Sequence, residues 1–256
     1  MMDALVTGAG GFIGQSLCAR LRADGQNVLA LTSANGDVSS ADTWKALPPA
    51  SVLYHLAGRS FVPDSWMQGP DFMAANVVGT ERALAYCREH GARLVVASAY
   101  VYGIPERLPI GESDRVAPNN PYALSKRLAE QLCEFAAHYQ GVVATALRIF
   151  NVFGPGQRAE FLMPKVLQQV RTGQDIRLLD LVPRRDYVYL SDVVDAFVKA
   201  SKVSSGFHAI NVGSGYSLSV AEIVEKIQFL AGTRLAVVSD SVERRQEIPD
   251  VVADIS

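Results

Sequence analysis

Ala4-Leu5-Val6-Thr7-Gly8-Ala9-Gly10-Gly11-Phe12-Ile13-Gly14 sets a short apolar run directly before a glycine cluster, and the helical pattern of Leu17, Cys18 and Leu21 follows. We interpret this order as strand, tight turn and helix. Gly8, Gly11 and Gly14 leave room for backbone N–H groups to approach a pyrophosphate at the helix start, where the helix dipole favours negative charge. Such a triplet alone is a weak signal, but its place between a strand and a helix indicates dinucleotide binding.

Strands and helices alternate from this turn onward. Apolar runs at 28–31, 52–58, 94–97 and 142–148 predict further strands, and helices are predicted near 40–47, 71–90 and 121–139. A later helix is predicted at 220–231, with Ser219 and Glu222 as its capping box. This alternation is typical of an α/β, Rossmann-type doubly wound parallel sheet with right-handed crossovers. Residues 149–157 interrupt this alternation of strands and helices. We therefore predict a dinucleotide-binding domain at 1–150 and a smaller, mixed, mainly substrate-binding domain at 151–256, with residues near 186–212 as candidates to return to the first domain.

The end of the second strand bears on the choice between NAD and NADP. An acidic residue there would bind the ribose 2′-hydroxyl of NAD, but this chain has Thr32 and Ser33. Two hydroxyls can hydrogen-bond a 2′-phosphate, and no carboxylate repels it. The residues favour NADP modestly, because no arginine adjoins them, and NAD stays open.

Tyr122 and Lys126 lie four residues apart at the start of a predicted helix, with Asn120 as its cap and Pro121 at its first position. Residues at i and i+4 share a helix face, so the ammonium is expected to lower the pKa of the phenol towards the range of a proton-transfer catalyst. Ser98 ends a predicted strand at the edge where such a sheet places its chemistry, and it joins this pair as a candidate.

Composition excludes several classes of function. The chain has 256 residues, 49% apolar and 20% charged, with a net charge of −2 and scattered basic residues, which predicts no nucleic-acid partner. No apolar run is long enough for a membrane span, and no secretory signal is evident, so we expect a cytoplasmic protein. Three cysteines without C-x-x-C spacing and four unclustered histidines predict no metal.

Taken together, these features resemble the extended short-chain dehydrogenase/reductase family, specifically its nucleotide-sugar branch. The resemblance covers essentially the whole chain. Six stretches in family order carry it, at residues 7–14, 55–58, 98–103, 119–126, 148–156 and 185–188.

The resemblance implies a role for each matching residue. Tyr122 would be the general acid/base at the reacting sugar oxygen, Lys126 would lower its pKa and bind the nicotinamide ribose, and Ser98 would hydrogen-bond the same oxygen. Other cofactor contacts would come from the positions Gly8, Gly11, Phe12, Ile13, Gly14, Thr32, Asp37, Val38, Leu56, Ala57 and Gly58. Substrate contacts would come from Asn151, Arg185, Arg244 and Glu247.

Departures from the family pattern reduce the number of reactions that the resemblance implies. Sugar 4,6-dehydratases carry an Asp-Glu pair where this chain has Ala99 and Tyr100, so dehydration is not expected. The Cys and His of the reductases that also epimerise C3 and C5 are replaced by Tyr100 and Gly156. The short connection at 32–37 most resembles the GDP-4-keto-6-deoxymannose reductases. We therefore expect reduction of a 4-keto-6-deoxy nucleotide sugar, with an NDP-sugar 4-epimerase that retains NAD as the alternative.

Two further expectations come with the resemblance. A homodimer would pair the helices near 71–90 and 121–139 with their mates, and relatives usually continue beyond Ser256 into a further helical segment. A different class of function, a non-catalytic dinucleotide sensor, has the same fold. Retention of Ser98, Tyr122 and Lys126 speaks against it, because a sensor needs no acid/base.

Overall fold

The computed structural model describes residues 2–240 and 248–256. The strands in these residues are β1 (Met2–Thr7), β2 (Val28–Leu31), β3 (Ala50–His55), β4 (Arg93–Ala99), β5 (Ala144–Ile149), β6 (Asn151–Phe153), β7 (Ile176–Leu178), β8 (Arg184–Tyr189), β9 (Phe207–Val212), β10 (Ser217–Ser219) and β11 (Val237–Ser239). The helices are α1 (Phe12–Ala23), α2 (Val62–Ser65), α3 (Gly69–Met73), α4 (Gly79–His90), α5 (Pro121–Tyr139), α6 (Leu162–Thr172), α7 (Leu190–Ala200) and α8 (Val220–Ala231).

A six-stranded sheet in the order β2-β1-β3-β4-β5-β9 forms the centre of the fold, and every pairing in it is parallel. Its strands are nearly continuous apolar runs because helices cover both faces. The carboxyl ends of β1, β3 and β4 therefore lie side by side at one edge. The predicted Rossmann-type doubly wound sheet is confirmed.

The two faces of this sheet carry separate hydrophobic clusters. Leu5 of β1 packs with α4 and α5, whereas its neighbour Val6 packs with α1 and α7. Alternate side chains of a strand point to opposite faces, so a single strand supplies both clusters. Each cluster fixes one pair of helices against the sheet.

The chain beyond residue 150 divides its elements between two regions. A three-stranded sheet in the order β10-β8-β6 and a parallel pair, β11 with β7, form the smaller mixed region. β9 instead pairs with β5, and α7 lies against α1, where Asp195 accepts a hydrogen bond from Arg20 at 2.5 Å. Residues 190–212 thus extend the first sheet and its helical layer. The division of roles at residue 150 stays a prediction.

Helix ends follow the predicted capping chemistry. The Asn120 side chain accepts from the Ala123 N–H at 2.9 Å, and Ser219 with Glu222 forms a reciprocal capping box on α8. The helix predicted near 40–47 is wrong. Only a 3₁₀ turn at Ala41–Thr43 forms, where the Ser40 hydroxyl accepts from the Asp42 N–H. No helix of the described residues is long and apolar enough to span a bilayer.

Candidate active site

The glycine turn joins β1 to α1 with almost no space for side chains. Gly8 has a φ of +68°, and a Cβ there would lie 2.6 Å from the Ala57 backbone nitrogen. A Cβ at Gly14 would overlap the Gly8 carbonyl oxygen. Gly11, the N-cap of α1, has no side chain to bond the first-turn N–H groups. These groups, from Phe12 onward, therefore lack a capping partner from that residue. This backbone fits a dinucleotide pyrophosphate.

Thr32, the predicted ribose-phosphate contact, begins a short turn after β2. Its hydroxyl donates to Asn35 Oδ1 at 3.1 Å and accepts from the Ala34 N–H at 3.3 Å. The Thr32 methyl lies 3.4 Å from where a Gly10 Cβ would be. Thr32 therefore lies next to the glycine turn. Its hydroxyl is oriented by the hydrogen bonds to Ala34 and Asn35.

Asp37 and Val38, the predicted adenine neighbours, follow this turn. The backbone N–H and the hydroxyl of Ser39 donate to Asp37 Oδ1 at 2.8 and 2.9 Å, and these bonds hold the pKa of that carboxyl below its usual range. Val38 packs against α4, where a Cβ on Gly79 would lie 3.0 Å from Val38 Cγ2. Both residues follow β2 in the chain, and their role beside the adenine stays a prediction.

Beneath the glycine turn, Thr7 and His55 form a buried pair. Thr7 Oγ1 lies 2.8 Å from His55 Nδ1 and accepts from the Ala57 N–H at 3.3 Å, while the Leu56 N–H donates to the Thr7 carbonyl. Among the described residues His55 Nε2 finds no partner. Burial, with a smaller contribution from the charge of Lys126, lowers the pKa of His55 to about 3. The imidazole is therefore neutral near pH 7.

Lys126 brings the helix of the Tyr-Lys pair to the ends of β3 and β4. Its Nζ donates to the Ala97 carbonyl at 2.9 Å and lies 3.3 Å from where a Gly58 Cβ would be. Burial lowers the pKa of Lys126 to about 8, with a nearby carboxylate, Glu130, acting in the opposite direction. The ammonium thus lies beside the predicted cofactor-lining backbone.

Asn76, which no sequence motif indicates, lies between the loop after Gly58 and the helix of Lys126. Its side-chain amide donates to Ser125 Oγ at 2.8 Å and to the Arg59 carbonyl, and its Oδ1 accepts from the Arg59 N–H. It therefore joins the loop after Gly58 to α5. Asn76 sits in a π turn at Ala74–Val78, and no side-chain periodicity in the sequence indicates this turn.

Tyr122 lies in the first turn of α5 with its ring against Phe72, the centroids 6.2 Å apart. Within the described residues its hydroxyl has no hydrogen-bond partner. Burial raises the pKa of the Tyr122 phenol above its usual value, which differs from the expected lowering. The reason is geometric, because the Lys126 ammonium is directed at the Ala97 carbonyl. In this arrangement Tyr122 is a protonated phenol.

Ser98 lies at the end of β4, as predicted, but its hydroxyl faces an unexpected partner. Ser98 Oγ donates to Glu130 Oε1 at 2.6 Å, and Arg148 of β5 binds the same carboxylate through Nε and Nη2 at 3.0 and 2.9 Å. The sequence contained a signal for Glu130, since it continues the four-residue spacing of Tyr122 and Lys126.

The two positions that carry acids in dehydratases hold no acid or base here. Ala99 is buried. The Tyr100 hydroxyl donates to the Gly103 carbonyl at 2.6 Å, and burial raises the pKa of this phenol. Ala99 has no proton to exchange, and the Tyr100 hydroxyl is committed to the Gly103 carbonyl.

The predicted substrate residues lie around β6 and β8. Asn151 Nδ2 donates to the Asp186 carbonyl at 3.3 Å, and Arg185 Nη1 donates to the carbonyls of Arg184 and Ile248 at 2.6 Å each. The structure thus places Asn151 and Arg185 on neighbouring strands. Arg244 and Glu247 lie outside the described residues.

Comparisons with known proteins agree with this architecture. The NAD dependent epimerase/dehydratase family matches residues 4–213. UDP-glucose 4-epimerase of Mycolicibacterium smegmatis is 32% identical over 251 residues, covering 87% of this chain and 80% of the relative. GDP-6-deoxy-D-mannose reductase of Pseudomonas aeruginosa is 30% identical over 257 residues, covering 94% and 84%.

A solved structure, RMD from Pseudomonas aeruginosa complexed with NADPH, matches with a TM-score of 0.90 at 29% identity, covering 99% of this chain and 90% of that one. The comparisons confirm the resemblance to the nucleotide-sugar branch of the extended short-chain dehydrogenases/reductases. They include an epimerase as well as a reductase. On its glycine turn, its parallel sheet and these matches, the chain belongs to the NAD dependent epimerase/dehydratase family.

Proposed function

We propose that this protein is an NAD(P)-dependent oxidoreductase that reduces a 4-keto-6-deoxyhexose carried on a nucleotide diphosphate, with Tyr122 as the general acid. The observation that carries the proposal is the Tyr122 phenol, which has no hydrogen-bond partner in the described residues and lies one helical turn from Lys126. Keto reduction turns a carbonyl into an alkoxide and therefore requires a proton donor at that oxygen.

The chain's own residues hold the reactants. The glycine turn would bind the cofactor pyrophosphate, Thr32, Asp37 and Val38 would line its adenosine half, and Lys126 with Gly58 would face its nicotinamide half. The bound dinucleotide supplies the hydride. Tyr122 donates the proton as charge develops on the sugar oxygen. Ser98 is the second polar group proposed for that oxygen, and its single proton, which Glu130 accepts in this structure, would turn to the sugar oxygen when substrate is bound.

Binding of the nucleotide diphosphate is assigned to the β6–β8 region. Asn151 and Arg185 present an amide and a guanidinium there, the donor types that suit phosphate oxygens. Arg244 and Glu247 are proposed to complete the site at the nucleotide ribose. These contacts would hold the substrate by its nucleotide and leave the sugar to face Tyr122.

For the cofactor we propose NADP(H) over NAD(H). Thr32 and Ser33 offer hydroxyls, and no acidic side chain occupies the end of β2. The P. aeruginosa structure RMD, which contains NADPH, supports this proposal by similarity.

A nucleotide-sugar 4-epimerase that retains NAD is the second candidate, favoured by the 32% identity to the M. smegmatis enzyme. An epimerase must first remove a proton from a sugar hydroxyl, whereas a reductase donates one to a carbonyl oxygen, and Tyr122 is the proposed acid/base in either case. The reductase is preferred because the short connection at 32–37 most resembles the GDP-4-keto-6-deoxymannose reductases. A sensor module has no use for an unpaired phenol beside a lysine.

We also propose a homodimer formed through α4 and α5. Ala83, Leu84 and Cys87 of α4 are committed to the sheet, but α5 presents Leu124 and Phe135, which are 43% and 53% exposed. Apolar residues exposed along one helix are typical of a helix-pairing interface.

The test is stopped-flow oxidation of NADPH and NADH with a panel of GDP-, UDP- and dTDP-linked 4-keto-6-deoxyhexoses. A parallel assay measures epimerisation of UDP- and GDP-hexoses without added cofactor. Turnover in the first assay supports the reductase. Activity only in the epimerisation assay supports the epimerase. Nucleotide binding without turnover in either assay supports the sensor.

A further inference from the structure

Glu130 is a buried carboxylate that lies behind the proposed catalytic residues. It is 1% exposed and sits on α5 one turn beyond Lys126 and two turns beyond Tyr122. Its Oε1 accepts the Ser98 hydroxyl at 2.6 Å. The carboxylate therefore holds a candidate catalytic side chain without itself belonging to the predicted acid/base set.

Arg148 fixes the orientation of this carboxylate. Its Nε and Nη2 bind the two Glu130 oxygens in a bidentate pair, and its Nη1 donates to the Tyr102 hydroxyl at 2.9 Å and to the Glu112 carbonyl at 3.1 Å. Tyr102 in turn donates to Asn211 Oδ1 of β9 at 2.6 Å. The bidentate pair thus links α5, β5 and, through Tyr102, β9. These bonds hold the Glu130 carboxylate in one orientation.

Two consecutive residues of β4 are bound by two residues of α5 one turn apart. Lys126 Nζ donates to the Ala97 carbonyl, and Glu130 accepts from the next residue, Ser98. These bonds set the register between the helix that carries the phenol and the strand that carries the serine. The Glu130 charge also opposes the effect of burial on Lys126 and favours its charged form.

We propose that Glu130 is a positioning residue for the reaction, acting through Ser98. Its carboxylate ties Ser98 at the end of β4 to the helix that carries Tyr122, and it thereby sets the relative placement of Ser98 Oγ and Tyr122 around the reacting sugar oxygen. This inference rests on the proposed function, since it concerns the same site. It adds a buried ionic group that contacts Ser98 and is itself fixed by Arg148.

Glu130→Asp is the principal variant because it keeps the negative charge beside Arg148 and withdraws the carboxylate from Ser98 by one methylene. We expect kcat to fall about ten- to a hundredfold, as for a misplacement of about 1 Å, with the KM for the nucleotide sugar within about threefold. Glu134→Asp, an exposed position one turn later on the same helix, is the matched control and should keep wild-type kcat. A Glu130→Asp enzyme with wild-type kcat overturns the proposal.

A double-mutant cycle with Ser98→Ala separates positioning from general damage. If Glu130 acts through Ser98, adding Glu130→Asp to Ser98→Ala should lower kcat by less than about threefold more. An equal fold-loss in both backgrounds would show that Glu130 acts independently of Ser98, and the proposal would be wrong.

Wild-type turnover tests the proposed function separately, and either assay, reduction or epimerisation, can supply the kcat. If the wild type is inactive in both, the proposed function fails. The contact is then tested by thermal unfolding of the same four proteins, where the two substitutions should be non-additive. Additive shifts in Tm would refute the Ser98–Glu130 contact itself.

Discussion

The ammonium of Lys126 lies 3.3 Å from where a Cβ on Gly58 would be, so only a glycine leaves room for it there. This proximity brings α5 close to the loop after β3, at the edge where the nicotinamide half of the cofactor is proposed to lie. Lys126 should therefore contribute to cofactor binding as well as to proton transfer.

Lys126→Met keeps most of the chain length and removes the ammonium. We expect the Kd for NADPH to rise at least tenfold, about 1.4 kcal/mol, and kcat to fall as well. Fluorescence titration measures the first effect, with the exposed Lys202→Met as control. A Kd within twofold of wild type would remove Lys126 from the cofactor site.

Tyr122→Phe removes only the phenolic oxygen and keeps the ring against Phe72. Turnover should fall by about two to four orders of magnitude, the usual contribution of a positioned acid/base, while NADPH affinity stays unchanged. Tyr139→Phe, at a 75% exposed tyrosine of the same helix, should behave as wild type. Full activity of Tyr122→Phe would show that another group supplies the proton.

Wild-type protein should bind NADP(H) at least as tightly as NAD(H). Thr32→Asp should weaken NADPH binding more than about tenfold, because a carboxylate repels the 2′-phosphate, and change NADH binding by less than about threefold. Aspartate is also a good cap, so the turn should persist. Calorimetric titration of wild type, Thr32→Asp and the remote Ser204→Asp checks this. A wild-type preference for NADH above about tenfold contradicts it.

The buried imidazole of His55 predicts acid sensitivity. Its folded pKa of about 3 lies below the unfolded value, so the unfolded state binds more protons between about pH 3 and 6.5. The stability due to this group is present above pH 6.5 and is lost as the pH falls. Between pH 5.5 and 4.5 the wild type should lose about 1.4 kcal/mol more than His55→Gln. Urea unfolding measures this, with exposed His138→Gln as control, and parallel losses in wild type and His55→Gln would refute it.

The dimer proposal is tested at α5. Phe135 and Tyr139 form an exposed ring pair with centroids 4.9 Å apart. We expect a dimer mass by light scattering at micromolar concentration and a monomer for Phe135→Glu. Phe229→Glu, at an 82% exposed position of α8, should stay dimeric. A monomeric wild type would rule out the interface.

Local sequence rules predicted the parts of this protein that are locally determined. The glycine turn, the Asn120 cap and the Ser219–Glu222 capping box each depend on residues within a few positions of one another, and the structure contains them. The position of Ser98 at the end of β4 could also be predicted, because the sequence changes from apolar to polar residues where the strand ends.

Contacts between distant segments could not be predicted in the same way. The Ser98 hydroxyl was assigned to the substrate oxygen, yet it bonds to Glu130, 32 positions away. The expected effect of Lys126 on Tyr122 assumed that a shared helix face brings the charges together. Tertiary packing directs the ammonium to the Ala97 carbonyl instead, and spacing alone cannot show that.

The π turn at Ala74–Val78 has a consequence for how this chain can be aligned and engineered. Such a turn accommodates one more residue than regular α-helix geometry would. Deleting a single residue there, such as Val77, would restore regular α-helix geometry and leave the flanking segments α3 and α4 in about their present orientation, whereas the same deletion within a regular helix would turn one side by about 100° relative to the other. Only the residues of the turn itself would shift, and Asn76 would lose its alignment with Ser125 and with the Arg59 backbone. The helix can therefore lose one residue at this point without a break in its backbone, and the effect falls on the loop after Gly58 that Asn76 holds.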